Sequence, residues 1–264
     1  MKTSTERMIA EKDGSIGRMT FNNPARHNAV SIDMWRSVTE IMSEFEGDPG
    51  IRVVVLAGAG GKAFVSGADI SEFGEKRSSP EQVLEYNSTS GKANEAIIHC
   101  TKPTIAMIEG YCVGGGLGVA LCCDLRLASD NSRFAVPAAK LGLGYAYGGI
   151  KRLADVVGPS FAKEIFYTAR QFDATEALQM GLINRMRPAA ELHSYVDGYA
   201  RMMGENAPLT IAAVKVAVNE AYKDPDKRDL VAAQRAVDAC FASKDYVEGR
   251  TAFMEKRKPA FRGH

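Results

Sequence analysis

The sequence predicts an α/β fold, a mainly parallel sheet followed by an α-helical C-terminal region. Three observations point there. Segments 51–57 (IRVVVLA) and Thr104–Ile108 are apolar runs of strand length without polar alternation, as suits strands buried on both faces. A glycine cluster follows each run, at 58–67 and at Gly114-Gly115-Gly116, and helical stretches lie between and after them. From about residue 150 to the end only helices are read.

Taken in order, segments 7–10 and 16–22 flank Asp13-Gly14, a hairpin turn. The turn-rich segment Asn22-Asn23-Pro24-Ala25-Arg26-His27-Asn28 follows. Ser31 can cap a helix running to about Phe45, with Met34, Val38, Ile41, Met42 and Phe45 on one side. The first glycine-rich loop leads into Ala68-Asp69-Ile70, and 80–99 reads as helix. The second cluster follows Glu109-Gly110 and opens a helix reaching Cys122; strands are expected at 125–128 and 133–136. In the tail, the charged segment 224–228 separates two helices. No internal repeat or low-complexity stretch is found. The expected division is a core over 1–200 and a helical region over 201–264.

At 264 residues, 45% hydrophobic and 25% charged, the chain can bury a core of ordinary size. A formal net charge of +1 provides no global field for nucleic acid or an anionic membrane. The N-terminal segment lacks the apolar stretch of a secretory signal, and no apolar run has the length of a membrane span. Cys100, Cys112, Cys122, Cys123 and Cys240 form no CxxC pair and suit buried free thiols in a reducing, cytoplasmic compartment. His27, His99, His193 and His264 lack metal-ligand spacing, so no metal is expected.

Glycine lets backbone approach a ligand closely, and a helix start offers free N–H groups to an anion. Neither cluster has the GxGxxG spacing of a dinucleotide loop or the GK[ST] ending of a phosphate loop. Each alone is equally compatible with a tight turn between strand and helix.

Together the motifs are more specific. Asn22-Asn23-Pro24 with Asn28-Ala29-Val30, then Lys62 through Ile70 (KAFVSGADI), then Ile108-Glu109-Gly110-Tyr111 with Gly114-Gly115-Gly116, then Cys123-Asp124-Leu125, resemble the enoyl-CoA hydratase/isomerase (crotonase) family. The ending, Glu248-Gly249 and then Ala252 through Lys258, resembles it too. The resemblance implies a crotonase-like spiral of ββα units with a helical trimerisation region. It implies an acyl-CoA substrate, coenzyme A entering as part of that substrate and no other cofactor, and a homotrimer or dimer of trimers. It also implies an oxyanion hole formed by the Ala68 and Gly115 N–H groups, flanked by Ser66, Gly67, Ile70, Gly114, Pro137 and Leu141. Arg26, His27, Ala63 and Lys256 fall where the family contacts coenzyme A, with Lys62 bordering the same channel. Asp69 and Asp124 are read as structural.

One departure stands out. The two glutamates of a family hydratase correspond to Gly118 and Ala138, neither of which can move a proton. Tyr145, near Tyr147 in a glycine-rich turn, falls where methylmalonyl-CoA decarboxylase-like members carry a tyrosine facing the acyl group. The decarboxylase compared has histidine at the position of Ala68. Decarboxylation-type chemistry through an enolate, catalysed by Ala68, Gly115 and Tyr145, is therefore the favoured expectation. The alternatives are enoyl-CoA hydration with substitute groups and a non-catalytic acyl-CoA binder. Lys140, Glu72, Glu109 and Cys112 are lesser candidates.

Overall fold

The structure, a computed structural model, describes residues 3–69 and 79–264. Two sheets form the core. The larger runs β1 (Met8–Asp13), β2 (Ile16–Phe21), β3 (Val53–Gly58), β5 (Thr104–Ile108), β7 (Leu125–Ser129) and β10 (Arg185–Arg187) in spatial order. Only the β1–β2 hairpin pairs antiparallel. The smaller runs β4 (Ala63–Val65), β6 (Tyr111–Val113), β8 (Arg133–Ala135) and β9 (Phe172–Asp173). Each long strand feeds a short one and then a helix. Thus β3 and β4 precede α2 (Pro80–Ile98), β5 and β6 precede α3 (Gly115–Cys122), and β7 and β8 precede α4 (Ala138–Leu141). This is the expected spiral of ββα units.

The apolar runs are buried on both faces. Val54, Leu56, Ala106 and Ile108 join the main core, whereas Val53, Val55, Ile105 and Met107 pack under Leu192, Val196 and Ala200 of α7 (Ala189–Gly204). Strand residues alternate between faces, so one apolar run serves both layers. Helix α1 (Ile32–Gly47) begins as expected, its Ser31 Oγ accepting from the Met34 N–H at 3.3 Å. It buries Met34, Val38, Ile41, Met42 and Phe45.

The all-helical reading beyond 150 needs correction. Among α5 (Tyr147–Thr168), α6 (Ala174–Gln179) and α7 lie the strands β9 and β10. They have two and three residues, too few for periodicity to register, and they complete the edges of the two sheets. Residues 200 and 201, where the two regions were divided, both lie inside α7.

The tail comprises α8 (Pro208–Ala221), α9 (Leu230–Ala242) and α10 (Lys244–Glu255), with Pro225–Lys227 breaking α8 from α9. Lys215 of α8 fastens this region to the core, donating to Asp124 Oδ2 at 2.8 Å and to the Lys102 carbonyl at 3.0 Å. Asp124 Oδ2 also accepts from the Thr104 N–H and Oγ1, so its role is structural. No helix among the described residues is long and apolar enough to cross a membrane.

Candidate functional site

Strands β4, β6 and β8 run parallel, so their C-terminal ends emerge on one edge of the small sheet. Val65 there leads to Ser66-Gly67-Ala68, Val113 to Gly114-Gly115, and Ala135 to Val136-Pro137-Ala138. Topology alone thus gathers three motifs that lie tens of residues apart in sequence. The Gly114 N–H donates to the Ala135 carbonyl at 2.8 Å, tying the second turn to the third strand.

The direction of the Ala68 N–H follows from its neighbours. Ala68 forms a parallel bridge with Val30, in which the Val30 N–H donates to Gly67 O (2.9 Å) and the Asp69 N–H to Val30 O (3.1 Å). Successive residues of an extended chain alternate in direction, so the Ala68 N–H points away from Val30. On that other side lies Gly115. A Cβ added to Gly115 would sit 3.8 Å from the Ala68 nitrogen, which puts the two nitrogens within about 6 Å of each other.

Helix α3 begins at Gly115, so this N–H is among the first-turn donors that have no partner inside a helix. Gly114, at φ 56° and ψ −118°, adopts a backbone conformation that suits glycine. At Gly116 a Cβ would overlap the Val65 carbonyl oxygen, so helix and strand touch backbone to backbone.

A polar frame stiffens the first turn. Asn28 is fully buried; its Nδ2 donates to the Ala59 and Ala63 carbonyls (2.9 and 2.7 Å) and its Oδ1 accepts from the Asn23 N–H (2.8 Å). The Ser66 N–H donates to His27 O at 3.1 Å, and Ser66 Oγ to Arg26 O at 3.3 Å. Asp69, 5% exposed, receives the Arg26 guanidinium at 2.9 Å, the bracing role expected of it. That pairing turns Arg26 toward the loop, although half of its side chain stays exposed.

His27 and Lys62 lie elsewhere. With Tyr111 and Arg133 they line a cavity of about 360 Å³ at the N-terminal edge of the small sheet. Three residues of strand, about 10 Å, separate that edge from the glycine turns. Ala63 is buried in β4, and Ile70 and Glu72 lie outside the described residues. Pro137 caps the single turn α4, on which Leu141 is 63% exposed. Lys256 ends α10 in the left-handed conformation, exposed to solvent.

Tyr145 does come to the site. Its hydroxyl lies 3.9 Å from a Cβ placed on Gly114, and its ring packs edge-on against Phe166 with centroids 5.1 Å apart. Tyr147, by contrast, is 72% exposed. At the two departing positions the surroundings differ. Among the described residues, a Cβ at Gly118 would meet no atom within 4 Å, whereas Ala138 is buried.

Other candidates recede. Burial pushes the thiols of Cys112 and Cys123 far up, that of Cys122 to about 11 and that of Cys100 to about 12, which leaves them protonated. Lys140 is exposed, and Glu109 lies beside Gly61 and faces His193 at 3.8 Å. Among the described residues no group of three or more His, Cys, Asp and Glu could hold a metal ion.

Three features escaped the sequence: Asn28 as the buried strut, the Arg26–Asp69 pair across 43 residues, and Arg152, whose Nη1 donates to Cys122 Sγ at 3.5 Å. The Asn22–Asn28 motif held a signal for the first. The other two have none, since their partners meet only in the folded chain.

Comparison with known proteins agrees with this fold. The family profile described as enoyl-CoA hydratase/isomerase matches residues 11–264. The chain is 35% identical over 251 residues to a short-chain-enoyl-CoA hydratase of Clostridium acetobutylicum, covering 95% of each chain. It is 33% identical to a carnitinyl-CoA dehydratase of Escherichia coli, covering 98% of this chain and 99% of the relative. Among solved structures, an enoyl-CoA hydratase/carnithine racemase from Magnetospirillum magneticum superimposes with a TM-score of 0.92 at 36% identity, covering 98% of this chain and 97% of that one.

Proposed function

From the premise that the chain belongs to the enoyl-CoA hydratase/isomerase family, we propose that it is an acyl-CoA lyase whose Ala68 and Gly115 N–H groups hold the thioester oxygen. The observation carrying this reading is the apposition of Ala68 N and Gly115 across the glycine turns. As negative charge grows on the thioester oxygen, in an enolate, two fixed donors stabilise it without reorganising, and the positive end of α3 adds to the effect. Losing one such donor raises a barrier by roughly 2.7–4 kcal/mol in well-studied enzymes.

Hydration of an enoyl-CoA, or the reverse loss of water from a hydroxyacyl-CoA, leads over decarboxylation, because the relatives cited are named for hydratase and dehydratase activities. Addition of water across the double bond passes through the same enolate. Gly118 and Ala138 cannot supply the proton transfers, so Tyr145, with its hydroxyl beside Gly114, is the group assigned to donate or orient. General acid–base help of this kind contributes roughly 10²–10⁴-fold. Decarboxylation remains the second reading, favoured by the uncharged residues at 118 and 138. Loss of CO₂ leaves the enolate directly and asks for little beyond the two donors.

Incubation with crotonyl-CoA and, separately, methylmalonyl-CoA, with products followed by mass, decides between them. A gain of water on crotonyl-CoA supports hydration, and loss of CO₂ from methylmalonyl-CoA supports the second reading. Tyr145→Phe should lower the observed activity at least tenfold; full retention would remove Tyr145 from the mechanism.

The assembly we propose is a trimer or a dimer of trimers built through the helical tail. Its support is a groove of about 1100 Å³ among α8, α9 and α10, with Val214, Phe241, Phe253 and Met254 on its walls. Phe253 and Met254 are 82% and 80% exposed, an apolar face of the kind that a further copy covers. Light scattering coupled to size exclusion tests it, and a monomer at micromolar concentration would reject it.

A further inference from the structure

Helix α3 presents one face toward the site. Gly114 and Gly115 lie at its start, Gly118 one turn on, and Cys122 one turn further. Tyr145 stands over the first turn and Arg152 of α5 over the last. Between them lies Gly118, where an added Cβ would meet none of the described residues within 4 Å. Cys122 Sγ donates to Gly118 O at 3.1 Å, so the thiol links the guanidinium to the open turn.

Arg152 is half-buried, and among the described residues it has no carboxylate partner. The thiol it touches stays protonated, for burial holds its pKa near 11, and offers the cation no negative charge. Glu95 also acts on Cys122, but its carboxylate is exposed and turned to His99 at 2.8 Å. The two positions at which the family's hydratases carry glutamates are glycine and alanine here. A cation therefore lies two turns along α3 from Gly115, on a helix face without the anions that the family resemblance would place there. A half-buried charge of this kind gains most from a charged partner that arrives hydrogen-bonded.

We propose that Arg152 recognises a carboxylate on the acyl group, so that the site prefers CoA thioesters of dicarboxylic acids over simple fatty acyl thioesters. The inference rests on the acyl-CoA reading above and applies to hydration and decarboxylation alike. From Gly115 to Cys122 the helix rises about 10 Å. That span leaves room, across the bare Gly118, for a few carbons between thioester and carboxylate.

Succinyl-CoA and butyryl-CoA have acyl chains of equal length and differ in the terminal carboxylate, so calorimetric titration of both against the intact protein isolates the effect. The wild type should bind succinyl-CoA about tenfold more tightly, with the gap narrowing as salt is raised. Arg152→Gln should bring the two affinities together through loss of succinyl-CoA binding, and Arg152→Lys should keep part of the preference. A wild type that binds butyryl-CoA as tightly as succinyl-CoA overturns the proposal, as does an Arg152→Gln protein that keeps the full preference. Should Arg152→Gln fail to fold, the wild-type comparison and its salt dependence decide alone. If neither thioester binds, the acyl-CoA reading fails, and this inference with it.

Discussion

The two ends of α3 are built differently. Around its N-terminus the site is made of backbone and is over-determined. Asn28 ties the first turn to the carbonyls of residues 59 and 63, Val30 fixes the direction of the Ala68 N–H, and Gly116 meets Val65 backbone to backbone. Further along, the site depends on side chains and is open. A Cβ at Gly118 would meet no atom of the described residues within 4 Å, and residues 146–150 are exposed. Stabilising charge on a thioester oxygen needs fixed dipoles, and the rigid end has them. Choosing what happens to the acyl group needs side chains, and the open end can change them at little cost to the fold.

Substitutions at the two ends should separate accordingly. The largest effect belongs to the rigid end. Ala68→Pro removes one N–H donor and should lower kcat by about 10²–10³ while thioester affinity changes less than tenfold. Steady-state kinetics beside calorimetry shows it, and a preserved kcat would break the contrast. Next come the two positions of the missing glutamates. Ala138→Glu buries an unpaired carboxylate and should destabilise by about 3 kcal/mol, read as a large fall in the thermal midpoint. Gly118→Glu enters open space in a helix and should leave stability unchanged or raise it by up to about 1 kcal/mol. Equal losses at both positions would mean that the open end is not open.

A smaller effect concerns the frame. Arg26→Ala leaves the Asp69 carboxylate, 5% exposed, with one cation fewer, and should cost about 1–3 kcal/mol in urea unfolding. The smallest lies in the tail. Two hydrogen bonds from Arg257 and one from the Ala260 N–H hold the Glu248 carboxyl down to about 2. Because the folded pKa is depressed below the usual 4.5, the contribution is complete above that value and fades as pH falls toward 2. Limited proteolysis with an acid protease should show the residues after Arg257 loosening across that window, and Glu248→Gln should loosen them at neutral pH.

The same division explains what could be read from the sequence. Strand β5 has the bounds its apolar run predicted, and the helix capped by Ser31 begins where expected, because long apolar patterns and caps are local signals. The strands β4, β6, β9 and β10, of two or three residues each, are set by pairing with neighbours and leave no such pattern. At the site, the glycine turns and the family resemblance point to Ala68, Gly115 and Tyr145, and the fold brings the three close together. His27 and Lys62, read as contacts along the coenzyme A channel, line a cavity at the opposite edge of the small sheet from the glycine turns, a separation that strand direction sets and sequence proximity does not show. Arg152 gave no signal, because its meaning depends on Cys122 and Gly118, thirty and more residues earlier.

The central claim is that the Ala68 and Gly115 N–H groups together polarise a thioester carbonyl. Infrared difference spectroscopy of bound butyryl-CoA carrying ¹³C at the thioester carbonyl measures that polarisation directly. The carbonyl band should move to lower frequency on binding, and much of that shift should vanish in Ala68→Pro. A bound thioester whose carbonyl absorbs at the frequency of the free molecule would contradict the account.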